Sequence, residues 1–175
     1  MSRQNRMQIL EECMTKYGSE IKRVIFSYVR NHSDTDDITQ EVFYTVYKNL
    51  NQFKGNAHLK TWIYRIAINK SKDHLRKANT QQKKLVELFN NHSSTTASVE
   101  ELSLQSETSN ELLKEIFNLP LIYREVIVLY YFEELNTQEI AHVLDENINT
   151  VKARLRRSRE RLREMLETSG GEFYG

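Results

Sequence analysis

The sequence predicts an all-α protein of two small helical domains joined by a flexible linker, the C-terminal one containing a helix-turn-helix. Three observations predict it. Only 5 Gly and 1 Pro occur in 175 residues, with 39% hydrophobic and 28% charged residues, a composition that suits soluble helices and not a turn-rich β fold. Apolar residues recur at helical spacing in both halves. Between the halves, NNHSSTTAS and its neighbours are too polar to bury a face. The domains are expected at 1–88 and 111–175, with residues 89–110 as the linker.

The elements follow in order. Met7, Leu10, Met14 and Tyr17 share a helical face, and Ile21, Val24, Ile25, Tyr28 and Val29 continue at helical spacing until Asn31 and His32 break the run. Ser33 with Asp36 three residues on reads as a capping box for a helix carrying Ile38, Val42, Val46 and Leu50 on one stripe. A turn at Lys54, Gly55 and Asn56 precedes a helix expected from about Leu59 to Lys77. In the second half Leu112, Ile116 and Leu119 lead to Pro120, which marks a helix boundary, and Tyr123, Val126, Ile127, Tyr130 and Tyr131 follow at helical spacing. Asn136 with Glu139 fits a capping box for a short helix with Ile140, Ala141, Val143 and Leu144 as its apolar face. The turn Asp145 to Asn147 leads to a longer helix lined on one side by Val151, Leu155, Leu162 and Met165 or Leu166.

Charge is segregated although the formal net charge is +1. From Lys54 to Lys84 the sole carboxylate is Asp73, Glu100 to Glu146 is dominated by acids, and then Lys152, Arg154, Arg156, Arg157, Arg159, Arg161 and Arg163 crowd one segment. Two basic zones divided by an acidic one imply two contacts with a polyanion. On the long second-half helix, Asn149, Lys152, Ala153, Arg156 and Arg157 face away from the apolar stripe, as base-reading residues do when a recognition helix enters a major groove. A solvated amphipathic helix should mix signs at i,i+4, yet between Lys152 and Arg163 only Glu160 compensates.

On the first-half basic helix, His58, Thr61, Arg65, Asn69, Lys72 and Arg76 form one stripe, with Leu59, Ile63, Ile66 and Ala67 on the other side. Lys70 falls in the apolar arc, so its stem is expected buried and its ammonium snorkelling outward. Trp62 lies on the border, equally suited to a core anchor and to nucleic acid. The loop Phe53, Gly55, Asn56, Ala57, His58 is a candidate pocket for an unstacked base.

Other chemistry finds little support. The one cysteine, Cys13, cannot pair within the chain and reads as a small buried hydrophobe. Arg3 and Arg6 precede no uninterrupted apolar stretch, and nowhere do some twenty apolar residues run together, so the protein reads as cytoplasmic. Asp34, Asp36 and Asp37 lack the glycine and downstream glutamate of a calcium loop, and His74 and His142 stand alone. No catalytic residue, metal, cofactor or small-molecule substrate is expected. A stand-alone helix-turn-helix transcription regulator would account for the second half, but it leaves the acidic helix beside the basic Trp62 helix unexplained.

Together DDITQEVFYTVYKNLNQFKG, LKTWIYRIAINKSKDHLRK, the Leu119–Pro120 pair and LNTQEIAHVL followed by NTVKARLRRSRERLREML resemble the extracytoplasmic-function sigma factors of bacterial RNA polymerase, across both halves and in the right order. The resemblance implies a two-domain initiation factor that binds core RNA polymerase and promoter DNA. It implies that Asp37, Gln40 and Glu41 bind core polymerase. It implies that Phe53, Asn56 and His58, with Arg65, Asn69, Lys72 and Arg76 on the following helix, read and melt the minus-ten element. Asn149, Lys152, Ala153, Arg156 and Arg157 match the minus-thirty-five reader. The family often has Gly in the helix-turn-helix where this chain has Asp145 and Asn149, residue types that tolerate left-handed geometry. An inhibitory anti-sigma factor, able to hold the protein at the membrane, is a further implied partner. Only the tail SGGEFYG follows the last helix, so no C-terminal extension domain is expected.

Overall fold

A computed structural model describes residues 3–53, 58–89 and 107–169. Among these every regular element is a helix, and the chain divides into two compact units, Met1–Thr96 and Ala97–Gly175. Most of the expected linker, residues 90–106, lies outside the described residues, as do Asn56 and the end of the SGGEFYG tail.

The first unit packs three helices against one another: α1 (Arg3–Val29), α2 (His32–Asn49), which ends in a 3₁₀ turn at Leu50–Gln52, and α3 (Leu59–Phe89). Its core is Ile21, Val24, Ile25 and Tyr28 from α1, Ile38, Val42, Phe43 and Val46 from α2, and Ile63, Tyr64, Ala67 and Ile68 from α3. Each buried Val, Ile or Phe side chain among them contributes roughly 1.5–3 kcal/mol. Buried hydroxyls are satisfied within their own helices: Ser27 donates to the Val24 carbonyl, Thr39 to Thr35 and Ser71 to Ala67.

Four expectations change in this unit. The early α1 stripe is not core, for Met7 and Met14 are 43% and 49% exposed while Cys13 is 2% exposed. The cap of α2 is Asn31 and not Ser33. Asn31 Oδ1 accepts from the Asp34 amide at 2.9 Å, and Arg30 at φ 55° turns the chain directly before Asn31, two residues earlier than a Ser33 cap requires. The basic helix runs past Lys77 to Phe89, since neither Gly nor Pro interrupts it. Thr61 is buried and off the basic stripe, and the centre of the packed face is Tyr64 and Ile68, with Leu59 and Ile66 half-buried at its margins.

The second unit holds α4 (Glu107–Asn118), α5 (Leu121–Ile127) continued by a π turn at Val128–Phe132, α6 (Thr137–Leu144) and α7 (Ile148–Ser169). The start of α4 at Glu107 lies within the stretch read as linker. Pro120 caps α5, and Arg124 donates to the Phe117 carbonyl at 2.6 Å, fastening α5 to the end of α4. In the π turn the Glu133 amide reaches the Val128 carbonyl, so one extra residue is accommodated per turn. That slip explains why Val128 and Leu129 are buried while Tyr131, expected on the apolar face, is 52% exposed. On α4 it is Leu113, with Ile116 and Phe117, that is buried, while Leu112 is 40% exposed.

The capping box of α6 is complete. Asn136 Oδ1 accepts from the amides of Gln138 and Glu139 at 3.0 Å each, and Glu139 Oε2 accepts from the Asn136 amide at 2.8 Å. The helix stops at Asp145, which takes the left-handed conformation at φ 57°, and Asn147 Oδ1 accepts from the Asn149 amide at the start of α7.

Two cap substitutions test these assignments. Asn136→Ala should destabilise the second unit by about 1 kcal/mol, read as faster hydrogen exchange at the Gln138 and Glu139 amides. Asn31→Ala should lower stability by a similar ~1 kcal/mol, whereas Ser33→Ala should stay within about 0.5 kcal/mol in denaturant titration.

Candidate nucleic-acid interface

The phase of α7 decides which of its residues can meet a partner. Val151, Leu155 and Ser158 are almost fully buried and Leu162 nearly so, against α4, α5 and α6. Asn149, Lys152, Arg156 and Arg157 are consequently exposed, with Ala153 half-buried between them, so the structure brings the five predicted residues onto one outward face. Because α6 and the Asp145 turn precede it, this face begins at the N-terminal end of α7, where a helix-turn-helix presents side chains to base edges.

The arginine run, uniform in sequence, is divided by the fold. Arg154 turns inward to Glu125 at 3.2 Å and Glu146 at 2.7 Å. Arg159 donates from Nε to the Tyr131 hydroxyl at 2.8 Å and lies near the Tyr130 and Tyr131 rings, while Arg161 lies over Tyr123 at 4.8 Å. Arg156 has a 3.4 Å contact with Glu160 and Arg163 one of 2.8 Å with Glu167, both between exposed side chains. The scarcity of acids along α7 is therefore compensated in part from α5 and the turn, which spacing along one helix cannot reveal.

In the first unit the basic stripe of α3 is ordered differently. His58, Asn69 and Arg76 are exposed, and Arg65 and Lys72 are half-buried on the same side, Lys72 with its ammonium 6.0 Å from the centre of the Tyr28 ring. Arg76 pairs with Asp73. Lys60 and Lys70 belong to the opposite flank: Lys60 lies 3.7 Å from Glu20, and Lys70 reaches Glu41 on α2 at 3.3 Å with its stem partly covered, as its place in the apolar arc predicts. Trp62 is half-buried, with its ring 5.2 Å from that of Phe53 and tilted by 40°. Phe53 and Trp62 thus form an aromatic pair at the head of the polar stripe.

On α2, Asp37, Gln40 and Glu41 are all exposed on one side. Tyr44, one turn on and 59% exposed, extends this face with Lys48 over its ring at 4.6 Å. Sequence reasoning missed Tyr44, although an aromatic three and four residues after Glu41 and Gln40 on a polar face is a legible signal.

The alternative chemistry is absorbed by structure. Asp34 faces His74 at 3.3 Å and Asp36 faces Lys22 at 2.7 Å. Among the described residues no group of three or more His, Cys, Asp and Glu is placed to hold a metal, and no helix is long and apolar enough to cross a membrane. Burial pushes the Cys13 thiol up, away from a reactive thiolate, in keeping with a small buried hydrophobe.

Comparison with known proteins places these surfaces in context. The Sigma-70 region 2 family matches residues 13–81, and the Sigma-70 region 4 family matches residues 109–162. The chain is 34% identical over 158 residues to the ECF RNA polymerase sigma factor SigW of Bacillus subtilis, covering 86% of this chain and 84% of that protein. It is 32% identical over 161 residues to the RNA polymerase sigma factor SigV of the same organism (92% and 93% covered), and 30% identical over 155 residues to the ECF RNA polymerase sigma-E factor of Escherichia coli (84% and 81%). Among solved structures, the sigma factor RpoE of Bartonella quintana, in complex with the anti-sigma factor NepR, superposes with a TM-score of 0.73 at 21% identity, over 90% of this chain and 96% of that one. CnrH, in complex with the cytosolic domain of CnrY, gives 0.67 at 20%, over 93% and 90%. At those identities the likeness is one of fold.

The aromatic pair gives a direct test. Trp62 is the only tryptophan of the chain, so its emission reports its cover alone. Phe53→Ala should expose the indole and shift its fluorescence to the red with little change in helicity by circular dichroism.

Proposed function

Given that the chain belongs to the extracytoplasmic-function sigma factors of RNA polymerase and directs transcription initiation, we propose that it does so with three surfaces on its two units. The exposed side of α2 at Asp37, Gln40 and Glu41 grips core polymerase. The head of α3 with Phe53, Asn56 and His58, continued by Arg65, Asn69, Lys72 and Arg76, captures and opens the minus-ten element. The outward face of α7 at Asn149, Lys152, Ala153, Arg156 and Arg157 reads the minus-thirty-five element in the major groove.

The observation that carries this reading is the phase of α7. Its buried side is fixed by Val151, Leu155 and Ser158, which leaves Lys152, Arg156 and Arg157 in solvent on a helix preceded by a capped turn. At the other site, unstacking a base costs a few kcal/mol, and stacking on an aromatic side chain returns about 1–3 kcal/mol per base. The Phe53–Trp62 pair supplies such a ring beside cations that attract the backbone.

Two modest sites gain from being joined. In this reading the domains are residues 1–88 and 111–175, and residues 89–110 act as a tether that raises the effective concentration of each at its element. Free protein then binds promoters weakly, and core polymerase supplies the geometry. A stand-alone regulator is less well supported, because it gives no role to the part of the chain that matches Sigma-70 region 2, residues 13–81.

Regulation by an anti-sigma factor is part of the same reading, supported by the sigma factor RpoE of like fold, whose structure contains the anti-sigma factor NepR. The protein works in the cytoplasm, as a specificity subunit without a reaction of its own, and such a partner can retain it at the membrane.

Run-off transcription with core polymerase tests the proposal, since promoter-specific product should appear only when the protein is added. Arg157→Ala should reduce use of the upstream element by about 1–3 kcal/mol of discrimination, the value of one good base contact. Asn69→Ala should slow promoter opening, read by permanganate reactivity of unpaired thymines, while leaving upstream binding intact. Product of equal yield without the protein, or wild-type behaviour of both variants, contradicts the assignment.

A further inference from the structure

Resting on the reading of α7 as the minus-thirty-five helix, we propose that Arg154 is a positioning residue: it makes no contact with DNA and sets the rotation of α7, and with it the promoter discrimination of Arg156, Arg157 and Lys152.

Arg154 sits in the middle of the recognition segment, directly after Ala153 and two residues before Arg156, and by sequence it belongs to the same cationic run. Its environment sets it apart. The side chain is 18% exposed, against 68% for Arg156, and its guanidinium forks between two carboxylates. One nitrogen meets Glu125 Oε1 at 3.2 Å, and the other meets Glu146 Oε1 at 2.7 Å. Glu125 belongs to α5 and its side chain is 2% exposed, while Glu146 belongs to the turn between α6 and α7. One side chain therefore joins the recognition helix to the body of the unit and to the turn that delivers it. A single positive charge shared by two acids has little left for a phosphate, and the fork geometry uses the planar donors that suit a carboxylate pair.

The link acts where rotation matters. Ser158, one turn further on, is fully buried and shares its one hydroxyl proton between the Arg154 carbonyl of its own helix at 2.5 Å and the Tyr123 carbonyl of α5 at 3.2 Å. The next turn of α7 thus adds packing against α5, and the fork supplies the strong directional link. The apolar contacts of Val151 and Leu155 are non-directional and tolerate small rolls of the helix, whereas the fork does not. A roll of roughly 20° moves an atom at a radius of about 6 Å by ~2 Å, given the diameter of a helix with its side chains. Hydrogen bonds to base edges fail within a few tenths of an ångström beyond their optimum. Loosening the fork should therefore blur base discrimination before it weakens attraction to the backbone. Glu146 provides the sharpest contrast, because removing an acid next to a DNA-binding face should tighten binding if charge alone counts.

The test uses the full chain with core polymerase and compares Glu146→Ala, Arg154→Met and Arg157→Ala on a promoter with its cognate upstream element and on the same promoter with single base pairs changed there. The expected result is that Glu146→Ala and Arg154→Met each reduce the preference for the cognate element by about five- to ten-fold, up to one decade in an equilibrium constant. The salt dependence of binding should keep its slope. A phosphate-binding Arg154 would instead lower the slope by about 0.9 in Arg154→Met and weaken all sequences alike, which overturns the proposal. So does a Glu146→Ala protein with unchanged or sharper discrimination. Glu146 is half-exposed, so this variant informs even where Arg154→Met fails to fold. Loss of discrimination in Arg157→Ala but not in Glu146→Ala removes the positioning role alone, whereas no effect in any of the three removes the reading of the α7 face as well.

Discussion

The second unit depends on one constraint, the burial of Val151, Leu155, Ser158 and Leu162 along a single side of α7. Those residues bind the helix to α4, α5 and α6, and the interior they complete leaves its other side in water. Everything assigned to the outward face follows from that partition, because a helix that is apolar on one stripe has no freedom over which side chains meet a partner. The first unit obeys the same logic on α3, where Tyr64, Ala67, Ile68 and Ser71 face inward and Asn69 and Arg76 are left outside. Function in both units is thus written on the faces that packing does not use.

Much of this was legible in the sequence because it is local. The Asn136–Glu139 capping box, the boundary at Pro120, the left-handed Asp145 and the two faces of α7 each rest on interactions within a few residues, which spacing encodes. The misreadings share a different physics. Met7 and Met14 have helical spacing, yet this part of α1 turns Cys13 inward and lays Arg6 over the Tyr47 ring of α2, so both methionines fall on the outer side. Ser33 and Asn31 are both good caps, and the left-handed Arg30 decided between them. The phase error after Ile127 comes from the π turn, which no fixed period describes.

The candidate sites show the same division. Asn149, Lys152, Arg156 and Arg157 were placed in solvent by periodicity, and Asp37, Gln40 and Glu41, singled out by the family resemblance, are exposed as well. Charge counting treated the arginines of α7 as one population, and tertiary structure separated them: Arg154 is tied to two carboxylates, and Arg159 and Arg161 lie against tyrosines. Cations next to each other in a chain can therefore have unrelated duties, and the acids that distinguish them lie 29 and 8 residues away.

The π turn at Val128–Phe132 has a consequence for how this unit tolerates change. Since the turn absorbs one residue more than an α-helix would, deleting a single residue there would restore ordinary winding without breaking the backbone ladder. The chain beyond it would enter the helix-turn-helix at nearly its present rotation, because a wide turn and an ordinary one sweep almost the same angle about the axis. The segment thus acts as slack in the chain, so losing one residue here should be better tolerated in related chains than losing one within α7, where no such turn absorbs the change.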